Sequence, residues 1–107
     1  MPNIQHVDFH LTDGDDRTCV WETDHLQIMR VRLAAGEALL THNSNSHVLL
    51  VPACGKVRVV TPEGDETAGA GEAISVPYDT QMAVSNAEDE PLTFLIVKAP
   101  HPKSLKP

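Results

Sequence analysis

The hydrophobic positions of the chain form short runs that clusters of Gly, Pro, Asn and Asp interrupt at intervals of about ten residues. The stretch HLQIMRVRL alternates at its end, with Met29, Val31 and Leu33 on one face and Arg30 and Arg32 on the other. This alternation is typical of a β-strand with one buried face. Helix signals are nearly absent. The pattern therefore predicts an all-β sandwich or barrel.

The same pattern divides the chain into predicted strands and turns. Strands are predicted at residues 4–9, 18–22, 25–33, 38–41, 48–51, 56–61, near 67, 73–77, 81–86 and 92–99. Turns are predicted at residues 12–16, at the hairpin TPEGDE and at residues 77–80. The runs VLLV and LTFLIV are apolar on both faces, which predicts burial from both sides. The Pro-rich ending, residues 100–107, is predicted to be a surface tail.

A length of 107 residues fits one domain, residues 1–107, without an internal repeat or a linker. Two packed sheets of short strands in a jelly-roll arrangement close in about 100 residues. Such a fold leaves a cavity between the sheets, lined by alternate residues of several strands. Ligands usually bind there.

Composition and charge exclude several classes of partner. Fifteen acidic and eight basic residues give a net charge of −7, and the only basic cluster is Lys103 with Lys106. Nucleic acid is therefore not expected as a partner. No segment approaches the roughly 20 apolar residues of a membrane span, and the first sixteen residues do not have the pattern of a signal peptide. We expect no membrane partner and a cytoplasmic location, with Cys19 and Cys54 as small buried apolar residues rather than a disulfide.

Two segments carry a resemblance to a known family. The first, residues 36–55, has Gly36, five residues, His42 and a closing Gly55; the second, residues 71–86, has Gly71, five residues, Pro77 and a final Asn86. They resemble the paired motifs of small single-domain cupins, G-x5-H-x-H-x(3,4)-E-x6-G and G-x5-P-x-G-x2-H-x3-N. The resemblance implies a double-stranded β-helix, the cupin jelly-roll barrel, and a homodimer.

The resemblance breaks at the metal-ligand positions. Metal-binding cupins place two His and a Glu from the first motif and a His from the second around a divalent ion. The corresponding residues here are His42, Ser44, Val48 and Met82, and Asp79 replaces the second-motif glycine. An aliphatic chain, a neutral hydroxyl and a thioether are poor substitutes for an imidazole and a carboxylate around such an ion. We therefore expect the ordinary metal site to be lost, and no cofactor.

An altered metal site is the alternative. A one-residue shift of the turn would bring His47 inward beside His42, and His25, Gln27 or Cys54 would supply a third ligand to a divalent transition metal.

The leading functional hypothesis is a small-molecule-binding module with a metal-free pocket. The predicted pocket residues are Met29, His42, Ser44, Val48, Tyr78, Met82 and Phe94. The alternative is an enzyme: a dioxygenase-like metalloenzyme with His42 and His47, or a metal-free isomerase with His42 as general base and Tyr78 as its polar partner. Because an exposed apolar sheet face favours aggregation, the two-faced strands also predict a homodimer.

Overall fold

A computed structural model describes residues 4–7, 9 and 17–105 of the chain. Within these residues the fold consists of β-strands and one 3-10 helix. The strands are β1 (Arg17–Glu22), β2 (Gln27–Leu33), β3 (His42–Asn43), β4 (Val48–Cys54), β5 (Val57–Thr61), β6 (Gly64–Ala68), β7 (Ile74–Val76), β8 (Gln81–Ser85) and β9 (Leu92–Lys98), and the 3-10 helix is Pro102–Leu105. The predicted all-β class is confirmed. In this part of the chain no helix has the length and apolarity to cross a membrane.

The strands form two antiparallel sheets. The five-stranded sheet has the order β1-β2-β9-β4-β7, and the four-stranded sheet has the order β3-β8-β5-β6. The chain crosses between the sheets after β2, β3, β4, β6, β7 and β8, so neighbours in a sheet are mostly distant in sequence. This is the predicted jelly-roll arrangement. It leaves β7 and β6 as edge strands.

Alternation along the strands builds the core between the two sheets. In β5, Val57 and Val59 are buried, and Arg58 and Val60 are exposed on the other face. The core consists of thirteen buried apolar side chains, Val31, Leu33, Val48, Leu50, Val57, Val59, Ala68, Val76, Met82, Val84, Leu92, Phe94 and Ile96. The inward positions of β2 and β5 are those that the sequence pattern predicts.

The buried side chain of Asn86 joins the two sheets at one end of the core. Its amide Nδ2 donates to the carbonyl oxygens of Leu33 at 3.2 Å and Glu90 at 2.7 Å, and only 1% of the residue is exposed. Its backbone bonds the same segment, with Asn86 N donating to the Glu37 oxygen at 2.8 Å and Gly36 N donating to the Asn86 oxygen at 2.9 Å. The end of β2 is thereby fixed to the end of β8.

The first predicted strand is not found. Residues 4–7 and 9, the described part of this segment, form no strand, and Ile4 is 99% exposed. The segment contacts the sheet through a side chain, because the Trp21 indole Nε1–H donates to Gln5 Oε1 at 2.9 Å. The turn predicted at residues 12–16 lies outside the described residues.

The prediction that both cysteines are buried is wrong. Cys19 and Cys54 are free and exposed. Each lies beside a register shift, Cys19 in the edge strand β1 and Cys54 at the end of β4. A β-bulge changes the direction of nearby side chains, and residue type does not reveal where a bulge occurs.

The predicted burial of two strands from both faces is incomplete in the single chain. On the outer side of the five-stranded sheet, Leu49 is 39% exposed, and Val51, Leu95 and Val97 are partly buried.

The described part of the predicted tail, residues 100–105, lies at the surface, and two side-chain contacts hold it there. His101 Nε2 is 2.8 Å from Glu22 Oε2, and Lys103 Nζ is 3.0 Å from Asp24 Oδ1. The hydrogen bond from His101 lowers the pKa of Glu22, and the hydrogen bond from Lys103 lowers the pKa of Asp24. Because these carboxylates are exposed, the two ion pairs contribute little to the stability of the fold. Their effect is to hold His101 and Lys103 beside Glu22 and Asp24.

The corner at Gly55 generates a stability prediction. Gly55 has φ +87°, and a Cβ there would lie 2.7 Å from the Pro91 carbonyl oxygen. Gly71 has a similar φ of +90° with nothing within 4 Å of its Cβ position. We expect Gly71→Ala to lower the free energy of unfolding by about 1–2 kcal/mol, the cost of a left-handed residue. Gly55→Ala should lower it clearly more, because backbone must also move. Urea unfolding measures both, and equal losses would contradict the steric argument.

Candidate functional site

The inherited metal-ligand positions meet at one end of the barrel, but their side chains have different surroundings. His42 of β3 pairs with Met82 of β8, and Val48 begins β4. Met82 and Val48 are each 3% exposed and belong to the apolar core. The His42 ring is exposed, and its Nδ1 donates to the Leu40 carbonyl oxygen at 2.8 Å.

Ser44 occupies the second ligand position and serves as an internal hydrogen-bonding group. The residue is 2% exposed. Its Oγ donates to the Pro77 oxygen at 2.5 Å and accepts from the Thr80 backbone N–H at 2.9 Å. Its backbone N–H donates to the Thr80 oxygen at 3.0 Å, and its oxygen accepts from Asp79 N at 2.9 Å. Ser44 therefore fixes the first-motif turn to the turn between β7 and β8.

Asp79 replaces the second-motif glycine without losing the backbone conformation. Its φ is +56°, in the left-handed region that Asp and Asn tolerate better than most residues. Its carboxylate Oδ1 accepts from the Asn43 side-chain amide at 2.9 Å. The aspartate thus adds a side-chain hydrogen bond to the four bonds that Ser44 makes between the same two turns.

His47, the candidate ligand of the alternative site, is exposed and does not turn inward. Its Nδ1 accepts a long hydrogen bond from Tyr78 N, 3.4 Å, and its carbonyl accepts from Ala99 N at 3.1 Å. Of the proposed third ligands, His25 is exposed in the β1–β2 turn, and Cys54 lies at the opposite end of β4 from the turn. Among the described residues no group of three or more His, Cys, Asp and Glu could hold a metal ion.

A basic side chain also faces this end of the core. Lys98 lies directly opposite Val48 across the β4–β9 ladder, and cross-strand partners share a face, so the lysine points to the inner side. Burial lowers the pKa of Lys98, and the nearby Arg17 lowers it further. The charged neighbours of its ammonium group are Arg17 and Cys19 of β1, on the side of β9 away from β4, so Lys98 supplies no ligand to a metal at the inherited positions. The inherited positions do not fit a divalent metal. They offer an exposed imidazole, a hydroxyl that already makes two hydrogen bonds, an aliphatic chain and a buried thioether.

The seven residues of the predicted pocket are distributed over core and surface. Val48, Met82 and Phe94 are in the packed core, Met29 packs against it, Ser44 is buried, and His42 and Tyr78 are exposed. None of the seven lines the cavity described next.

A cavity of about 520 Å³ opens between the edge strands β6 and β7, where the two sheets separate. Its apolar lining includes Val59, Ile74 and Val76, and its polar lining includes Thr61 and Thr80. This volume is within the range of small-molecule sites. Sequence reasoning missed it because the position of the cavity depends on which strands become sheet edges.

Acidic side chains border this cavity on two different faces of β6. Glu66 pairs directly with the buried Val59, so its side chain lies on the inner side of the sheet. Asp65 lies on the outer side, where Arg58 Nη2 bonds its Oδ2 at 2.6 Å. This hydrogen bond lowers the pKa of Asp65.

Ser44 and His42 allow a test of structural against ligand roles. We expect Ser44→Ala to lower the free energy of unfolding by about 1–3 kcal/mol, because the Pro77 oxygen and the Thr80 N–H lose their partner. His42→Ala and a control at the exposed neighbour of Ser44, Asn45→Ala, should each change it by less than about 0.5 kcal/mol. Urea unfolding with and without added Zn²⁺ measures these effects. A larger loss for His42→Ala, or a loss for it that appears only with metal, would contradict this assignment.

Comparison with known proteins identifies the family. No family model matches the chain. It is 38% identical over 85 residues to the uncharacterized protein MJ0764 of Methanocaldococcus jannaschii, covering 78% of this chain and 72% of that protein. The crystal structure of an RmlC-like cupin family protein with a double-stranded β-helix fold from the same organism superposes with a TM-score of 0.81 at 30% identity, over 97% of this chain and 98% of that one. The structure of BH2720 from Bacillus halodurans shares the fold, with a TM-score of 0.73 at 24% identity over 79% and 70% of the two chains. The chain is a small single-domain cupin of the RmlC-like family, with a double-stranded β-helix fold.

Proposed function

We propose that the protein is a small-molecule-binding cupin without a transition metal at the inherited position, and that its ligand occupies the cavity between β6 and β7. The observation that carries this proposal is the cavity itself, about 520 Å³ with a lining of both apolar and polar residues. Binding sites commonly combine these properties.

The surroundings of the inherited positions support the metal-free part of the proposal. The Ser44 hydroxyl already makes two hydrogen bonds, and Val48 and Met82 are enclosed by hydrocarbon. Lys98 adds a basic group on the inner side opposite Val48. A divalent cation would find one exposed imidazole and no carboxylate among the four inherited positions.

A fragment titration tests the site. Fragments are titrated into isotope-labelled protein, and binding is followed by NMR. We expect saturable shifts of the amide signals of Val59, Ile74 and Val76. Thr61→Trp, a substitution at a lining residue that shares the inner side of β5 with Val57 and Val59, should weaken binding because the indole occupies the cavity. Thr67→Trp, an exposed position of β6 outside the lining, is the matched control and should bind normally.

Two outcomes would contradict the proposal. Shifts confined to His42, Tyr78 and Met82 would move the ligand to the pocket predicted from the sequence. Iron, manganese, nickel or zinc near one atom per purified chain, lost in His42→Ala, would overturn the metal-free part.

We also propose that two copies pair through the outer side of the five-stranded sheet. There Leu49 lies opposite Val97, Val51 lies opposite Leu95, and Ile28 lies on the other side of Val97. These five apolar side chains lie side by side on three adjacent strands, and Leu49 is 39% exposed in the single chain. An equivalent face of a second copy would remove them from water.

The two sheets offer a matched pair of substitutions for this test. We expect sedimentation velocity at micromolar concentration to give a dimer, and Leu49→Lys to give a monomer because a buried unpaired charge opposes association. Val60 is 38% exposed on the outer side of the other sheet, so Val60→Lys should remain dimeric. A monomeric unsubstituted protein, or equal effects of the two lysines, would remove the proposed interface.

A further inference from the structure

We infer that the ligand of the β6–β7 cavity is a small organic cation, an ammonium group carried on an apolar body. This inference rests on the binding function proposed above and adds the chemical class of the ligand.

The apolar part of the ligand follows from the lining. Val59 and Val76 belong to the hydrophobic core, each with 2% of its surface exposed, and Ile74 packs against that core. Their side chains offer no hydrogen bonds. A ligand that fills this part of the cavity gains by removing hydrocarbon from water, so its body is apolar.

The cationic part follows from the position of Glu66. The ladder between β5 and β6 places this residue directly opposite the buried Val59, so its side chain starts on the inner side of the sheet at the open edge. Arg58 pairs with Thr67 and lies on the outer side, where it bonds Asp65. Arg58 therefore contacts the carboxylate of Asp65 and leaves that of Glu66 for a ligand.

The remaining charges of the lining have the same sign. Four acidic residues, Glu63, Asp65, Glu66 and Asp79, are among the residues that line the cavity, and the described lining contains no Lys, Arg or His. Asp65 is paired with Arg58, and Asp79 accepts from the amide of Asn43. An anionic ligand would be repelled, whereas an ammonium group is attracted and can bond a carboxylate with a charge-assisted hydrogen bond.

A metal ion is a poor alternative occupant. Calcium takes six to eight oxygen ligands, and transition metals require several donors close together. The lining of the cavity places Glu66 beside the apolar side chains of Val59, Ile74 and Val76. Among the described residues, no group of three or more acidic, histidine or cysteine side chains could hold a metal ion. Glu66 is exposed at the open edge of the cavity, and a single carboxylate there beside hydrocarbon suits an organic cation.

Three probes with the same aromatic body separate charge from shape. Phenethylamine, 2-phenylethanol and 3-phenylpropanoate are titrated separately into the labelled protein at about 150 mM salt, close to physiological ionic strength, and dissociation constants are obtained from amide shifts. We expect phenethylamine to bind at Val59, Glu66 and Ile74 about tenfold or more tightly than the alcohol, and 3-phenylpropanoate to bind most weakly.

Substitutions at Glu66 then test the residue. Glu66→Gln keeps the shape and should remove the preference for the amine while leaving the affinity for the alcohol unchanged. Glu66→Lys should reverse the order and favour 3-phenylpropanoate. Glu88→Gln removes a carboxylate from an exposed loop outside this cavity and should retain the original preference, because bulk charge is not the cause.

The outcomes separate this inference from the function on which it rests. Equal binding of the amine and the alcohol at the cavity, or an amine preference that survives Glu66→Gln, would overturn the cationic class and leave the binding site in place. Absence of binding of all three probes at millimolar concentration, with no fragment bound at the cavity in the wider titration, would overturn both. Shifts at other residues alone would also overturn both.

Discussion

The fold depends on buried hydrogen bonds that join the two sheets at opposite ends of β8. At one end Asn86 bonds the carbonyl oxygens that follow β2 and precede β9, and at the other end Ser44 bonds both sides of the Pro77–Thr80 turn. Both side chains are almost completely buried. Apolar packing alone is not directional, so these hydrogen bonds fix the position of one sheet relative to the other.

The structural role of these hydrogen bonds explains which family features the chain retains. Gly55 has a left-handed φ and has Pro91 so close that a side chain would not fit, and Pro77 supplies the oxygen that accepts from Ser44. These positions determine backbone geometry. At residue 44 a hydroxyl stands where the family motif has an imidazole, and it connects the two turns. The barrel therefore needs the donors and acceptors at its ends, and it does not need the metal-ligand set.

Alternation was sufficient to predict most of the strands and the core, because every strand with one buried face carries period-two information, as β2 and β5 do. Alternation failed where the long-range arrangement of the strands determines whether a side chain is buried. Cys19 and Cys54 are exposed, and each lies next to a shift in strand register that leaves no local signal in the sequence. The motif spacing located His42 and Met82 opposite each other, but it could not show that one ring faces water and the other side chain enters the core. The cavity was missed because edge strands are defined only by the completed topology.

The charges on the inner sides of the two sheets point to a consequence for binding. At the inherited end of the barrel, Val48 occupies the position of the family's metal-binding glutamate and pairs with Lys98 across the ladder. At the β6–β7 opening, Glu66 pairs with Val59. The four inherited positions offer a cation no carboxylate, whereas the site proposed at the sheet edges offers that of Glu66. Such an edge site needs no coordination geometry, only a gap between two sheets and one inward carboxylate beside hydrocarbon. The ligand proposed for this edge would therefore be recognised without any metal-ligand set.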